Sequence, residues 1–308
     1  MRASILLGSA VFALMLASAG GAAAQDDAAA AGAPNNGGHA AAAPDDQGGY
    51  FAHWFDRVRE AQAGQPHWIT PVATVTPRLE QEFRFDAGFQ QAGNGAHLDN
   101  YGMGKGLELI PTTSNEIILN LPPYETRSVK KAAKGWGDDP VLLVKQRLVS
   151  ANEDKGDYIV TAFLGVQAPT GSEPFTNHAW VITPTLAAGK GWGPFDVQAT
   201  LGAALPLSHE SEIGKSVIGN VAFQYHLAGV FWPEFEINAT HWTDGPRGGK
   251  TQLFLTPGVI FGRFPIAGRT NLILGVAYQF AVSPRLVTTP VLTPVYDRQL
   301  LLTTRVTF

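Results

Sequence analysis

The 308-residue chain contains no cysteine. That excludes disulfides and thiolate metal clusters, and it excludes a lipoprotein anchor, which needs an N-terminal Cys. Charge is sparse, at 16% of residues, and acids outnumber bases, 26 to 22, for a formal net charge of -4. A nucleic-acid partner would want a basic excess, so none is expected. Long apolar runs are missing as well. The most apolar stretch, residues 5–16, falls short of the ~20 residues that a membrane-crossing helix needs. The eight histidines show no H-x-x-x-H spacing, so neither a metal centre nor a cofactor is expected.

What the chain has in quantity is turn residues, 34 Gly and 21 Pro, which suit many short strands. Residues 1–24 read as a secretory signal, with Arg2 as the positive start, 5–16 as the apolar core and Ala22-Ala23-Ala24 as the cleavage site. Residues 25–49 are Ala, Gly, Pro and Asp with almost no large apolar side chain, and are expected to be a disordered linker. Residues 50–76 form an N-terminal segment. Within it, Phe51, Trp54, Phe55 and Val58 recur at helical spacing. This predicts a short amphipathic helix that lies on a membrane surface, enters a barrel mouth or simply covers barrel residues.

From residue 77 to 308 the pattern changes to alternation. It repeats over 77–87, 105–110, 115–121, 141–150, 157–167, 178–187, 194–205, 216–227, 231–242, 250–262, 270–282 and 297–308. In the last stretch Leu300, Leu302, Thr304, Val306 and Phe308 share one face, while Gln299, Leu301, Thr303, Arg305 and Thr307 share the other. The connections alternate too, short after even-numbered segments and mostly longer after odd-numbered ones. Outer-membrane barrels sort their loops in this way. The expectation is an all-β fold, an antiparallel transmembrane β-barrel of about 12 strands with both termini in the periplasm of a bacterial cell. A sheet in lipid must close, so the first strand should pair with the last. Aromatic residues group into two rims. Tyr158, Trp192, Phe195, Tyr225, Phe231, Trp232, Phe261 and Phe308 mark one; Tyr124, Trp136, Phe175, Trp180, Trp242 and Tyr278 mark the other.

By the same alternation the lumen receives Glu80, Glu82, Arg84, Asp86, Glu108, Lys145, Arg147, Asp196, Glu234, Glu236 and Arg305. Their mixed signs suit pairing across the interior, because an unpaired buried charge is costly. They also suit a polar conduit whose lining sets selectivity. Ser208-His209-Glu210-Ser211 holds an H-x-S pattern that a lipid hydrolase could use, but it lies in an expected loop without an orienting partner. Lys130, Lys131 and Lys134 form a basic cluster in a long loop, placed to meet lipopolysaccharide phosphates.

Residues 139–171 carry a strand with Lys145 and Arg147, an acidic turn at Asp154 and a second strand that ends in Pro169-Thr170-Gly171. This block resembles the outer-membrane transporters labelled as the MetA pathway of phenol degradation. Gly106-Leu107-Glu108-Leu109 and Leu119-Asn120-Leu121-Pro122-Pro123-Tyr124 are similar in style to that family's early strands. The resemblance implies a porin-like barrel that passes small, aromatic or hydrophobic compounds without a cofactor and without enzymatic activity. Its partners would be outer-membrane lipid, lipopolysaccharide, a small-molecule solute and, through the C-terminal strand, the barrel-insertion machinery. The alternatives are a non-conducting structural or adhesion barrel, closed by residues 50–76, and a surface lipid hydrolase.

Overall fold

The computed structural model describes residues 49–92, 95–128, 132–283 and 296–308. The expected signal peptide, nearly all of the linker, and Lys130 and Lys131 lie outside the described residues. A helix, α1 (Trp54–Ala63), precedes fifteen strands. These are β1 (Glu82–Gln91), β2 (His97–Gly102), β3 (Gly106–Thr112), β4 (Asn115–Asn120), β5 (Tyr124–Ser128), β6 (Ala133–Trp136), β7 (Asp139–Ala151), β8 (Tyr158–Ala168), β9 (Val181–Trp192), β10 (Phe195–Pro206), β11 (Ser216–Tyr225), β12 (Phe231–Trp242), β13 (Thr251–Ala267), β14 (Thr270–Ser283) and β15 (Arg298–Thr307).

All pairings are antiparallel, and twelve strands close on themselves. The seam joins β1 to β15 from Glu82↔Thr307 to Gln91↔Arg298, so the first and last barrel strands do meet. The other three strands form a ribbon. β2 pairs with the far half of β1, β5 with β2 and β6 with β5. The sequence pattern reads these stretches as loops, and the reason is local. Met103 and Gly104, both at positive φ, break the run between β2 and β3. Pro122 and Pro123 break the run between β4 and β5, because proline cannot donate to a ladder. Long strands are thereby cut into pieces too short for alternation to reveal.

The first strand also starts later than the pattern predicts. It begins at Glu82, not at residue 77. The Glu80 amide donates to the side-chain carboxylate of Glu116 at 2.6 Å and not to a strand's backbone carbonyl. Residues 77–81 belong to a segment inside the barrel.

Alternation then decides what each face meets. On the seam, Phe83, Phe85, Phe89, Leu300 and Leu302 point outward and are exposed, whereas Arg84, Asp86, Thr303 and Arg305 point inward and are buried. An exposed belt of large apolar side chains around a polar interior is the reverse of a water-soluble protein and is stable in lipid. The chain is a β-barrel of the bacterial outer membrane. No helix among the described residues is long and apolar enough to cross a membrane. One aromatic of each expected rim faces inward and not toward lipid. Trp232 and Trp242 are buried because they share the inward parity of Glu234 and Glu236. Trp232 stacks on His226 at 4.2 Å, and Arg247 lies over Trp242.

Candidate functional site

A barrel of twelve strands is wider than its inward side chains can fill; ~8 strands is the size they just fill. Here the chain fills the difference with its own residues 65–81. This segment enters the barrel at the end that carries the short turns, bends near Val72–Thr74 and returns to Glu82. Its two arms are tied together. Gln65 and Leu79 exchange hydrogen bonds of 2.8 and 2.9 Å, Arg78 Nε donates to the Pro66 carbonyl at 2.6 Å, and Thr70 Oγ1 donates to Glu80 at 2.9 Å.

The segment has no helix or ladder of its own, so its buried backbone groups need partners from elsewhere. The barrel wall supplies them by charge. Cationic side chains take carbonyls: Arg84 holds Val72 O at 2.6 Å, Arg305 holds Thr70 O and Pro71 O, the latter at 2.7 Å, and Lys145 holds Arg78 O at 3.1 Å. Arg263 holds His67 O and Trp68 O at 2.6 and 2.7 Å. Acidic side chains take amides: Glu236 accepts from Ala73 N and Thr74 N at 2.8 and 2.6 Å, and Glu234 accepts from Val72 N at 3.2 Å. Neutral donors complete the set, with Gln198 to Ile69 O at 3.0 Å and Thr161 to Pro77 O at 2.6 Å.

Packing reinforces the clamp. Ile69 and Val72 sit in a cluster with Trp232, Ile260, Ile273, Ala277 and Leu301. Trp68 lies against Gly189 and Gly191, where an added Cβ would collide with its ring; those two glycines leave the room that the indole occupies. Further toward the long-loop end, Tyr296 turns into the barrel against Phe254 and donates to Gln279. Side chains at mid-barrel are closed off from solvent: Glu236 and Arg305 are both 0% exposed. The lumen at this level holds the loop, and the inward Asn220 and Asn238 beside it stay part-buried.

Of the residues that alternation assigns to the lumen, Glu82, Arg84, Asp86, Glu108, Lys145, Asp196, Glu234, Glu236 and Arg305 are buried. Arg84 and Asp86 pair at 2.7 Å, and Gln198 donates to Asp196 at 3.0 Å. Arg147 is half-buried near the turns and donates to Ala61 O, at the end of α1, at 2.6 Å. Glu80 is a correction: it rides on the internal loop and pairs with Arg78 at 2.9 Å. The alternation list omits Glu116, which is buried against Lys145 at 3.0 Å, although it shares parity with the inward Ile118. Arg78 shares the parity of Glu80 in the expected 77–87 stretch, and the alternation list omits it as well.

At the turn end the foot of the loop meets the β7–β8 turn. His67 donates its backbone N–H to Glu153 at 2.6 Å, and its ring Nδ1 lies 2.8 Å from the other carboxylate oxygen. Burial alone would raise Glu153, but the bonds from His67 outweigh it and hold the carboxyl below its ordinary value. Asp157, beside Gly191, is pushed up to about 6 by burial and by the neighbouring Glu153.

The H-x-S pattern assembles no catalytic relay. The hydroxyl that His209 Nδ1 meets, at 3.2 Å on the exposed surface, is that of its neighbour Ser208 and not that of Ser211, and the carboxylate of Glu210 is engaged by Lys215 at 2.6 Å.

The fold has relatives among solved structures. It is similar to the COG4313 outer membrane channel from Pseudomonas putida F1, at 13% identity and a TM-score of 0.52, over 78% of this chain and 100% of that one. It is also similar to the NanC porin, at 8% identity and a TM-score of 0.47, over 73% of this chain and 98% of that one. No protein-family profile and no curated protein matches the sequence.

Proposed function

We propose that the protein is a passive outer-membrane channel for small solutes whose lumen is closed at rest by residues 65–81 and opens when that loop shifts. The observation that carries this reading is the chemistry of the clamp. The loop is held mainly by hydrogen bonds to charged wall residues, partners that water or a polar solute can replace. A barrel that served only as a scaffold could fill the same space with apolar packing, which is often as stable or more so. The channel fold supports the reading, as does the resemblance to outer-membrane transporters. We further assign the short turns and both termini to the periplasmic side, from the sorting of loop lengths.

The walls around the loop suggest the solute. On one side lie Ile260, Ile273, Ala277 and Leu301. On the other lie Gln198, Asn220, Asn238 and Glu236, linked by amide hydrogen bonds or bound to the loop. A small ring with one polar group, such as a phenol or an aromatic acid, matches such a two-sided passage. The test is flux into proteoliposomes. Aromatic acids and small sugars should enter faster than into empty liposomes, and faster still with Glu236→Gln. No flux above empty liposomes from either protein overturns the reading in favour of a structural barrel.

A further inference from the structure

The stretch that leads into α1, ahead of the internal segment, carries an aromatic cluster that the channel itself does not use. Helix α1 packs its inner face, Val58 and Ala61, on Leu79 and Ile110. That contact fixes where the rest of the helix sits. Beyond it stand Tyr50 and Phe51, and the half-buried Trp54, which packs against this cluster, joins them to it. Tyr50 and Phe51 meet edge to face at 5.3 Å, and Phe51 stacks on Trp54 at 6.4 Å. Phe51 is 80% exposed and Tyr50 50%. Arg57 lies over the Tyr50 ring at 3.9 Å and donates to its carbonyl at 2.7 Å, so the cluster is a built object and not a fraying end. Tyr50 Oη also donates to Pro111 O at 2.7 Å, near the end of β3. This tether holds the rings at the rim where the outward apolar belt of the barrel ends.

A Phe that exposed in water would be an unfavourable surface. The combination of a bare apolar ring, a Tyr, a Trp and an arginine on their faces suits one place, the headgroup level of a bilayer. The segment carries Asp56 and Glu60 as well as Arg57 and Arg59, so attraction to anionic lipid is not the driving term. We propose that Tyr50, Phe51 and Trp54 are an interfacial anchor that dips into the lipid leaflet at the turn end of the barrel. Its partner is the glycerophospholipid interface, continuous with the lipid that surrounds the strands. Under the orientation proposed above, which this step of the inference rests on, that leaflet faces the periplasm. The anchor pins α1 from outside while Val58 and Ala61 pin it from inside, so the foot of the internal loop is fixed at two points.

The absence of cysteine gives a clean test. Ala52→Cys, beside Phe51, is labelled with an environment-sensitive fluorophore in the full chain and reconstituted into phosphatidylethanolamine/phosphatidylglycerol vesicles. Asp154→Cys, on the exposed β7–β8 turn, is the water-facing control. At position 52 the emission should be blue-shifted, quenched strongly by lipids with a nitroxide near the headgroup, and quenched several-fold less by aqueous iodide than at position 154. Adding Phe51→Ser to the Ala52→Cys protein should restore iodide access while the heat-dependent gel mobility of a folded barrel is kept. Equal iodide quenching at positions 52 and 154 overturns the proposal, and so does lipid quenching that Phe51→Ser leaves unchanged. The readout is depth and not flux, so its failure is separate from failure of the channel reading, and it holds whichever leaflet the turn end meets.

Discussion

Arg84 and Arg305 stand directly opposite each other across the β1–β15 seam, both buried, and both donate to carbonyls of the same internal loop. Two like charges side by side in a barrel wall would repel. They are tolerated because Asp86 pairs with Arg84 at 2.7 Å and because the carbonyls of residues 70–72 converge on them. The seam that closes the barrel is thus also the place that holds its stopper.

Removing one side of this clamp should loosen the loop without breaking the barrel. Arg305→Gln loses two charged hydrogen bonds, each worth about 1.5–3 kcal/mol. The expected result is a lower temperature for the heat-induced gel shift together with raised solute flux. Thr303→Val removes only the 3.2 Å bond that the Thr303 hydroxyl accepts from Arg305 Nε and leaves both bonds to the loop, so it should change flux less.

Trp68 tests the seat. Gly189→Leu places a side chain where the indole lies, and the foot of the loop must move. Flux should rise, and acrylamide should quench tryptophan emission more than in the unmodified chain. A full set of strands should persist by circular dichroism.

The His67–Glu153 contact predicts a pH window. Glu153 is held below its ordinary value of 4.5, so its contribution is present above that value and is lost as pH falls through the depressed one. Asp157 is raised to about 6, so its protonated form suits the folded turn and its ionised form, above that pH, opposes it. The latch should be tightest between these limits. Flux against pH should show a minimum there. Asp157→Asn should flatten the rise on the alkaline side, and Glu153→Gln should remove the rise on the acid side.

The lipid face should respond to depth and not to contacts. Leu302 points outward near the middle of β15, so Leu302→Arg costs about 2–4 kcal/mol. Insertion into vesicles should fall, as measured by the fraction of heat-modifiable protein. An arginine is tolerated three residues on, at 305, because that position faces the carbonyls of the loop.

How much of this was legible in the sequence follows from what alternation can carry. A two-residue period fixes the face of every side chain in a long strand, so the seam, the twelve-strand closure and the inward set from Arg84 to Arg305 could be read directly. Glu116 was within reach of the same rule. The internal loop was not, because residues 65–76 obey no period and the alternation over 77–81 continues that of β1, which assigns an arm of the loop to the wall. Their order comes from wall residues far away in sequence, such as Glu236 for Thr74 and Gln198 for Ile69. For the same reason Arg305 could be placed inside, but its partners were expected among acids. Its guanidinium donates to backbone carbonyls that have no signature in a sequence.

The central claim is that solute passes only when the loop moves, and a reversible lock tests it most directly. Thr74 and Asn238 lie within side-chain contact, with Asn238 Nδ2 at 3.4 Å from Thr74 Oγ1, and the chain has no other thiol to interfere. In the Thr74→Cys/Asn238→Cys protein, single-channel conductance should vanish when the disulfide forms and return to the unmodified level on reduction. Equal conductance in the oxidised and reduced states would contradict the account, because solute would then be passing a loop that cannot leave.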